Sequence, residues 1–121
     1  MPTLYGVFRS RASRPIWLLY ELDEAFDHVP VIQAYRLPQA SAPEAPLNTT
    51  SAAFLTVNPQ GQIPAYVEGD LVLTESLSIT NHIARTRGGQ LGAKTPAEQA
   101  LIEQWTLLAV TAVETPALEI L

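Results

Sequence analysis

The chain has 121 residues, nearly half of them apolar, enough for one compact domain with a real core and not comfortably enough for two; this composition argues against intrinsic disorder. Twelve acidic against seven basic side chains give a net charge of −5, a poor footprint for nucleic acid, and the absence of cysteine excludes disulfides, thiolate metal sites and a catalytic thiol. No apolar stretch reaches the ~18 residues of a membrane span, no basic leader opens the chain, and His28 and His82 have no metal-ligand spacing; a soluble, cytoplasmic protein without metal, membrane or nucleic-acid partner is expected.

Thr3 to Phe8 is short, apolar and rich in β-formers, and reads as a buried strand. Arg9, Arg11 and Arg14 follow as the chain's one basic cluster, better suited to a carboxylate- or phosphate-bearing small ligand than to a polyanion. Pro15 to Glu24 reads as a helix with Ser13 as its cap, and Tyr5, Trp17 and Tyr20 as core aromatics. A second strand is expected over Val29 to Tyr35. Strand, helix and strand at this spacing form a βαβ unit with parallel strands.

Leu37 to Asn48 is a surface segment rich in Pro, Ala and Ser, and a short helix is expected between Thr50 and Val57. Asn58-Pro59-Gln60-Gly61 has the residues of a β-turn. Ile63 to Val67 and Leu71 to Leu73 flank Glu68-Gly69-Asp70 as an antiparallel hairpin, and Ser76 to Arg87 is helical until Gly88-Gly89 stops it. The expected fold class is therefore α/β: a thioredoxin-like β-α-β, short helix, β-β-α order with a four-stranded mixed sheet.

Beyond a spacer at Gly92 to Lys94, Thr95-Pro96-Ala97-Glu98 is a capping box that opens a helix running to about Glu114. Leu101, Trp105, Leu108 and Ala112 lie on one face, with Ile102, Ala109 and Val113 beside them. So broad an apolar surface predicts packing on a partner. The division expected is residues 1–88 as one domain and 89–121 as a linker with the first helix of an interrupted all-helical domain.

Leu4 to Leu22, Asn58 to Pro64 (N-P-Q-G-Q-I-P) and Leu73 to Ile79 (L-T-E-S-L-S-I) together resemble the first strand and helix, the N-P-x-G-x-[IV]-P turn and the L-x-E-S-x-A-I segment of glutathione S-transferases. The resemblance covers roughly residues 3 to 110, and three motifs in this order and spacing are specific. It implies a glutathione-binding domain, glutathione as co-substrate, conjugation to a small electrophile once a second domain completes the pocket, and a homodimer. The other reading is a glutathione-binding or protein-interaction module of the same fold that does no chemistry.

The resemblance also implies roles. The Ile63–Pro64 bond would be cis, with the Ile63 backbone pairing the cysteinyl part of glutathione and Gln62 at the pocket edge. Glu75 and Ser76, where a strand meets a helix N-terminus, would hold the γ-glutamyl ammonium and carboxylate, an anion being favoured there by free N–H groups and the helix dipole. Ser10 falls where serine-type members place the hydroxyl that hydrogen-bonds the sulfur. A free thiol with a pKa of about 8.5 is mostly protonated at neutral pH, and a donor to the thiolate lowers that value. Ser13 is the rival donor, and Arg11 stands where several classes have Ser or Pro. Asn48 or Thr49 would reach the glycyl carboxylate, and Trp105 faces either a second-substrate pocket or a core.

Overall fold

A computed structural model covers residues 1–121. Four strands form one sheet in the order β2-β1-β3-β4. Strand β1 (Thr3–Tyr5) runs parallel to β2 (Asp27–Val29), with Thr3 opposite Asp27, and antiparallel to β3 (Ala65–Glu68), with Tyr5 opposite Ala65. The hairpin to β4 (Leu71–Thr74) turns at Gly69-Asp70, where Gly69 takes φ +59°. The expected mixed sheet and its βαβ start are present.

Alternation along the strands divides the core between two faces. Leu4 and Tyr66 point to one side, where α1 (Ser13–Glu21) and α3 (Ser76–Arg87) cover them with Ile16, Leu19, Ile79 and Ile83. Ala65 points to the other, against Val31 and Phe54, the latter from the short helix α2 (Ala52–Leu55).

Several local expectations are corrected. Strand β2 lies earlier than expected, at Asp27–Val29 instead of Val29 to Tyr35, and it stops at Val29 because Pro30 has no N–H for the ladder. The chain then makes a single parallel bridge, Ile32 to Asn48, and a 3₁₀ turn at Ala34–Arg36. Ser13 does not cap α1: it is the first helical residue, and no side chain caps this helix. The preceding turn is held by Ser10 instead, whose hydroxyl oxygen accepts the Ala12 N–H at 3.0 Å. Trp17 and Tyr20 are not core aromatics, being 70% and 61% exposed, while Tyr5 is half-buried beside Phe54.

Thr95 caps α4 (Pro96–Leu108) as expected, its hydroxyl oxygen accepting the Glu98 N–H at 3.1 Å. The Glu98 carboxylate, however, reaches back to the Lys94 N–H, one residue before the cap, so the reciprocal half of the box is displaced. The helix does not end near Glu114. It widens into a π-helical turn at Ala109–Glu114 and continues as α5 (Thr115–Glu119). Pro116 has no N–H to return to Ala112, and a wide turn upstream makes room for its ring. The Thr115 hydroxyl closes that turn on the Val110 carbonyl at 3.2 Å. Ile102, Thr106, Val110 and Glu114 are half-buried along this helix, while Leu101, Trp105, Leu108 and Val113 are exposed. Trp105 thus packs in no core within this chain. No helix is long and apolar enough to cross a membrane.

Candidate functional site

An open cleft of about 970 Å³ lies between the loop before α1, the turn before β3, the N-terminus of α3 and the inner side of α4 and its π turn. Ser10, Gln62, Ile63, Pro64, Glu75 and Ser76 all line it, so residues from three distant segments meet in one place. The volume is in the range of small-molecule sites.

Each segment reaches the cleft for a local reason. Asn58 is buried and closes its own turn, donating from Nδ2 to the Gln62 carbonyl at 2.8 Å and accepting the Gln60 N–H at 3.1 Å. Gly61, at φ +64°, passes so near Thr49 that a Cβ would lie 2.9 Å from the Thr49 carbonyl oxygen. This turn delivers the Ile63–Pro64 bond, which is cis. No protein group bonds to the Ile63 N–H or C=O, which leaves both free for an extended ligand.

Glu75 stands at the start of α3 with φ +70°, a conformation that costs a non-glycine residue about 1–3 kcal/mol and is found mainly where a site demands it. No side chain caps the helix, so its first N–H groups have no protein partner. Ser76 follows at 7% exposure. Its hydroxyl oxygen accepts from Arg14 Nη1 at 2.9 Å, placing a guanidinium beside the helix N-terminus. A guanidinium and free N–H groups together suit an anion.

Arg14 is held in turn by Glu114 from the π turn, Nη2 to Oε1 at 2.7 Å, and Arg11 Nε reaches the same oxygen at 2.8 Å. Hydrogen bonds from Arg11 first and Arg14 second keep the Glu114 carboxyl below its ordinary range. The basic cluster expected from the sequence therefore splits. Arg11 and Arg14 line the cleft, whereas Arg9 is exposed and offers it only a carbonyl, which accepts from Gln33 Nε2 at 3.2 Å.

Ser10 lines the cleft, yet its hydroxyl is engaged: it donates to the Val7 carbonyl at 2.7 Å and accepts the Ala12 N–H. Ser13 and Trp105 are exposed and do not line the cleft. Asn48 is buried outside it, donating to the Ala40 and Pro46 carbonyls and accepting from the Thr50 N–H and hydroxyl. Its neighbour Thr49 does reach the cleft, as does Gln33, whose Oε1 is buried without a partner. Gln33 and Glu114 carried no sequence signal. Gln33 lay within an expected strand, and Glu114 meets Arg14 across 100 residues.

A family model described as the glutathione S-transferase N-terminal domain matches residues 4–91. Among curated proteins, the chain is similar to a glutathione S-transferase of Hyoscyamus muticus, 47% identical over 55 residues, which cover 43% of this chain and 26% of that protein. It is also similar to glutathione S-transferase F9 of Arabidopsis thaliana, 28% identical over 120 residues, 97% of this chain and 51% of the relative. Among solved structures, the theta class enzyme of Xanthomonas axonopodis pv. citri with glutathione bound superposes with a TM-score of 0.73 at 25% identity, over 91% of this chain and 48% of that one. Glutathione transferase F7 of Populus trichocarpa gives 0.68 at 32% identity, over 92% and 49%. The chain spans about half the length, or less, of these relatives.

Proposed function

This chain belongs to the glutathione S-transferase family by its N-terminal domain, and from that premise we propose that the cleft binds glutathione. The carrying observation is the convergence of the unbonded Ile63 backbone with Ser76 and the uncapped N-terminus of α3. In this reading the cysteinyl part of glutathione pairs with Ile63, with Pro64 and Gln62 bordering it. The γ-glutamyl carboxylate takes the Ser76 hydroxyl and the first N–H groups of α3, and Glu75 takes the ammonium. Thr49 and Gln33, which line the cleft, suit the glycyl carboxylate better than Asn48, whose polar atoms are already used.

The whole protein's reaction in this reading is transfer of glutathione to a small electrophile, with residues 1–88 as the binding domain and 89–121 as a linker and the first helix of a second one. Self-association as a homodimer would cover apolar side chains such as Leu101, Trp105 and Leu108.

One observation favours the second reading, glutathione binding without chemistry. The Ser10 hydroxyl has one proton, and that proton is on the Val7 carbonyl. To stabilise a thiolate the hydroxyl must turn and donate to sulfur, giving up a bond worth about 1 kcal/mol. Both tryptophans stand outside the cleft lining, so calorimetric titration with glutathione, followed by a conjugation assay with an aryl halide, is the appropriate test. Binding with turnover supports the transferase reading and binding alone the module; no heat of binding rejects both.

A further inference from the structure

We propose that Arg11 is a specificity-determining residue for the electrophile, favouring small molecules that carry a carboxylate on an apolar body. The proposal rests on the glutathione transferase reading above and adds to it the chemical class of the second substrate.

The two arginines that share Glu114 are engaged differently. Arg14 has both terminal nitrogens occupied, Nη1 by Ser76 at 2.9 Å and Nη2 by Glu114 at 2.7 Å. Arg11 gives Glu114 only its Nε, at 2.8 Å, and neither of its terminal nitrogens meets a protein acceptor. A guanidinium has five N–H donors, and those on its terminal nitrogens form a planar fork that can grip a carboxylate at two points. The Arg11 side chain lines the cleft and is 55% exposed, so the fork is open to a ligand.

The place of Arg11 decides which ligand that is. It follows Ser10 in the loop before α1, where the glutathione sulfur would lie, and its one side-chain bond is to the π turn after α4, not to α3. Leu107 and Val110 line the cleft from the same helix, with Leu107 64% exposed. A cation and two aliphatic side chains thus border the side of the cleft that α4 closes. That combination suits an electrophile with an apolar body and an outlying carboxylate.

Glu114 opposes this preference, because one carboxylate repels another. Its Oε1, however, is shared by two guanidiniums, which leaves the cluster with a net positive charge. Attraction therefore wins, and its size is modest: an ion pair this exposed contributes up to about fivefold in affinity. A neutral electrophile leaves the fork hydrated at little loss, so Arg11 sets a ratio between substrates and excludes none.

The test is calorimetric titration of the full chain with two conjugates, S-(para-carboxybenzyl)glutathione and S-(para-carbamoylbenzyl)glutathione. Neither requires turnover, and both carry the same glutathione, so effects on that part cancel in their affinity ratio. The unaltered chain should bind the carboxylate about fivefold more tightly, and salt at about 0.5 M should bring the ratio near one. Arg11→Gln should also bring the ratio near one, and Arg11→Lys, with the charge but not the fork, should keep only part of the preference. Equal affinities in the unaltered chain, a preference that survives Arg11→Gln, or binding of glutathione but neither conjugate overturns the proposal and leaves glutathione binding intact. Absence of binding by glutathione and both conjugates overturns that reading and the proposal together.

Discussion

Arg87, in the last turn of α3, donates from Nη2 to Glu68 Oε2 at 2.5 Å and joins that helix to the end of β3. Its Nη1 reaches Glu24 beyond α1 at 3.0 Å, and the Tyr66 hydroxyl donates to the same Glu68 oxygen at 2.9 Å. One guanidinium thus fastens both helices to the sheet at the end opposite the cleft.

This cluster makes stability pH-dependent in two windows. Arg87 holds the Glu68 carboxyl down at about 2, against 4.5 for a free one. The folded value lies below the unfolded one, so the contribution is whole above pH 4.5 and is lost as pH falls toward 2. Tyr66 runs the other way: burial, then Glu68, push its phenol to about 12 from 10, so its contribution is whole below pH 10 and fades as pH rises toward 12. Denaturant midpoints across pH should show both slopes, with Glu68→Gln flattening the acid limb and Tyr66→Phe the alkaline one. If the acid limb is as steep in Glu68→Gln, the assignment is wrong.

Asn48→Ala should reduce stability by about 3 kcal/mol, since it strips four hydrogen bonds from a buried side chain and strands their partners. Glutathione affinity, compared in whatever fraction remains folded, should change less than about twofold. A large affinity loss in folded protein would return Asn48 to the list of ligand contacts.

Ser10→Ala removes two local bonds and should lower stability by about 1 kcal/mol, read by thermal melting. Ultraviolet absorbance of bound thiolate gives the second readout. A transferase predicts a raised thiol pKa in the variant with glutathione affinity largely retained; an unchanged thiolate titration would restrict Ser10 to holding its loop.

Gly6→Ala should disturb the loop that carries Ser10 without removing any ligand contact. Gly6 sits at φ +151°, and a Cβ there would lie 2.6 Å from that of Ala12. An alanine methyl cannot swing aside, so the loop bearing Ser10 must move, at about 1–3 kcal/mol. Melting temperature and glutathione affinity should fall together, and a variant with unaltered values for both would show that the loop yields freely.

Where the sequence was legible, one local rule sufficed. The span of α3, the cap at Thr95, and the hairpin around Gly69 follow from patterns a few residues long. The three segments lining the cleft were legible because each carries its own turn or helix-start chemistry. What escaped was decided at long range or by competition. Pro30 cut short a strand that β propensity alone extended to Tyr35. Trp17 and Tyr20 lie on the outer side of α1, where hydrophobicity could not say which face the sheet would take. Asn48 and Thr49 are adjacent, and only folding shows which of them the Pro-rich segment consumes.

The wide turn ahead of Pro116 also acts as an angular adjustment. Inward positions on this helix recur every fourth residue, from Ile102 through Thr106 and Val110 to Glu114. At about 100° per residue in an α-helix, three such steps drift by roughly 120°, enough to carry the last side chain off the inner face. The wider winding at Ala109–Glu114 advances each residue by only about 80°, bringing the accumulated error back to roughly 20°. A proline two residues downstream of Glu114 thereby sets the phase at which that carboxylate meets the two arginines, and a helix of ordinary pitch would present a neighbour in its place.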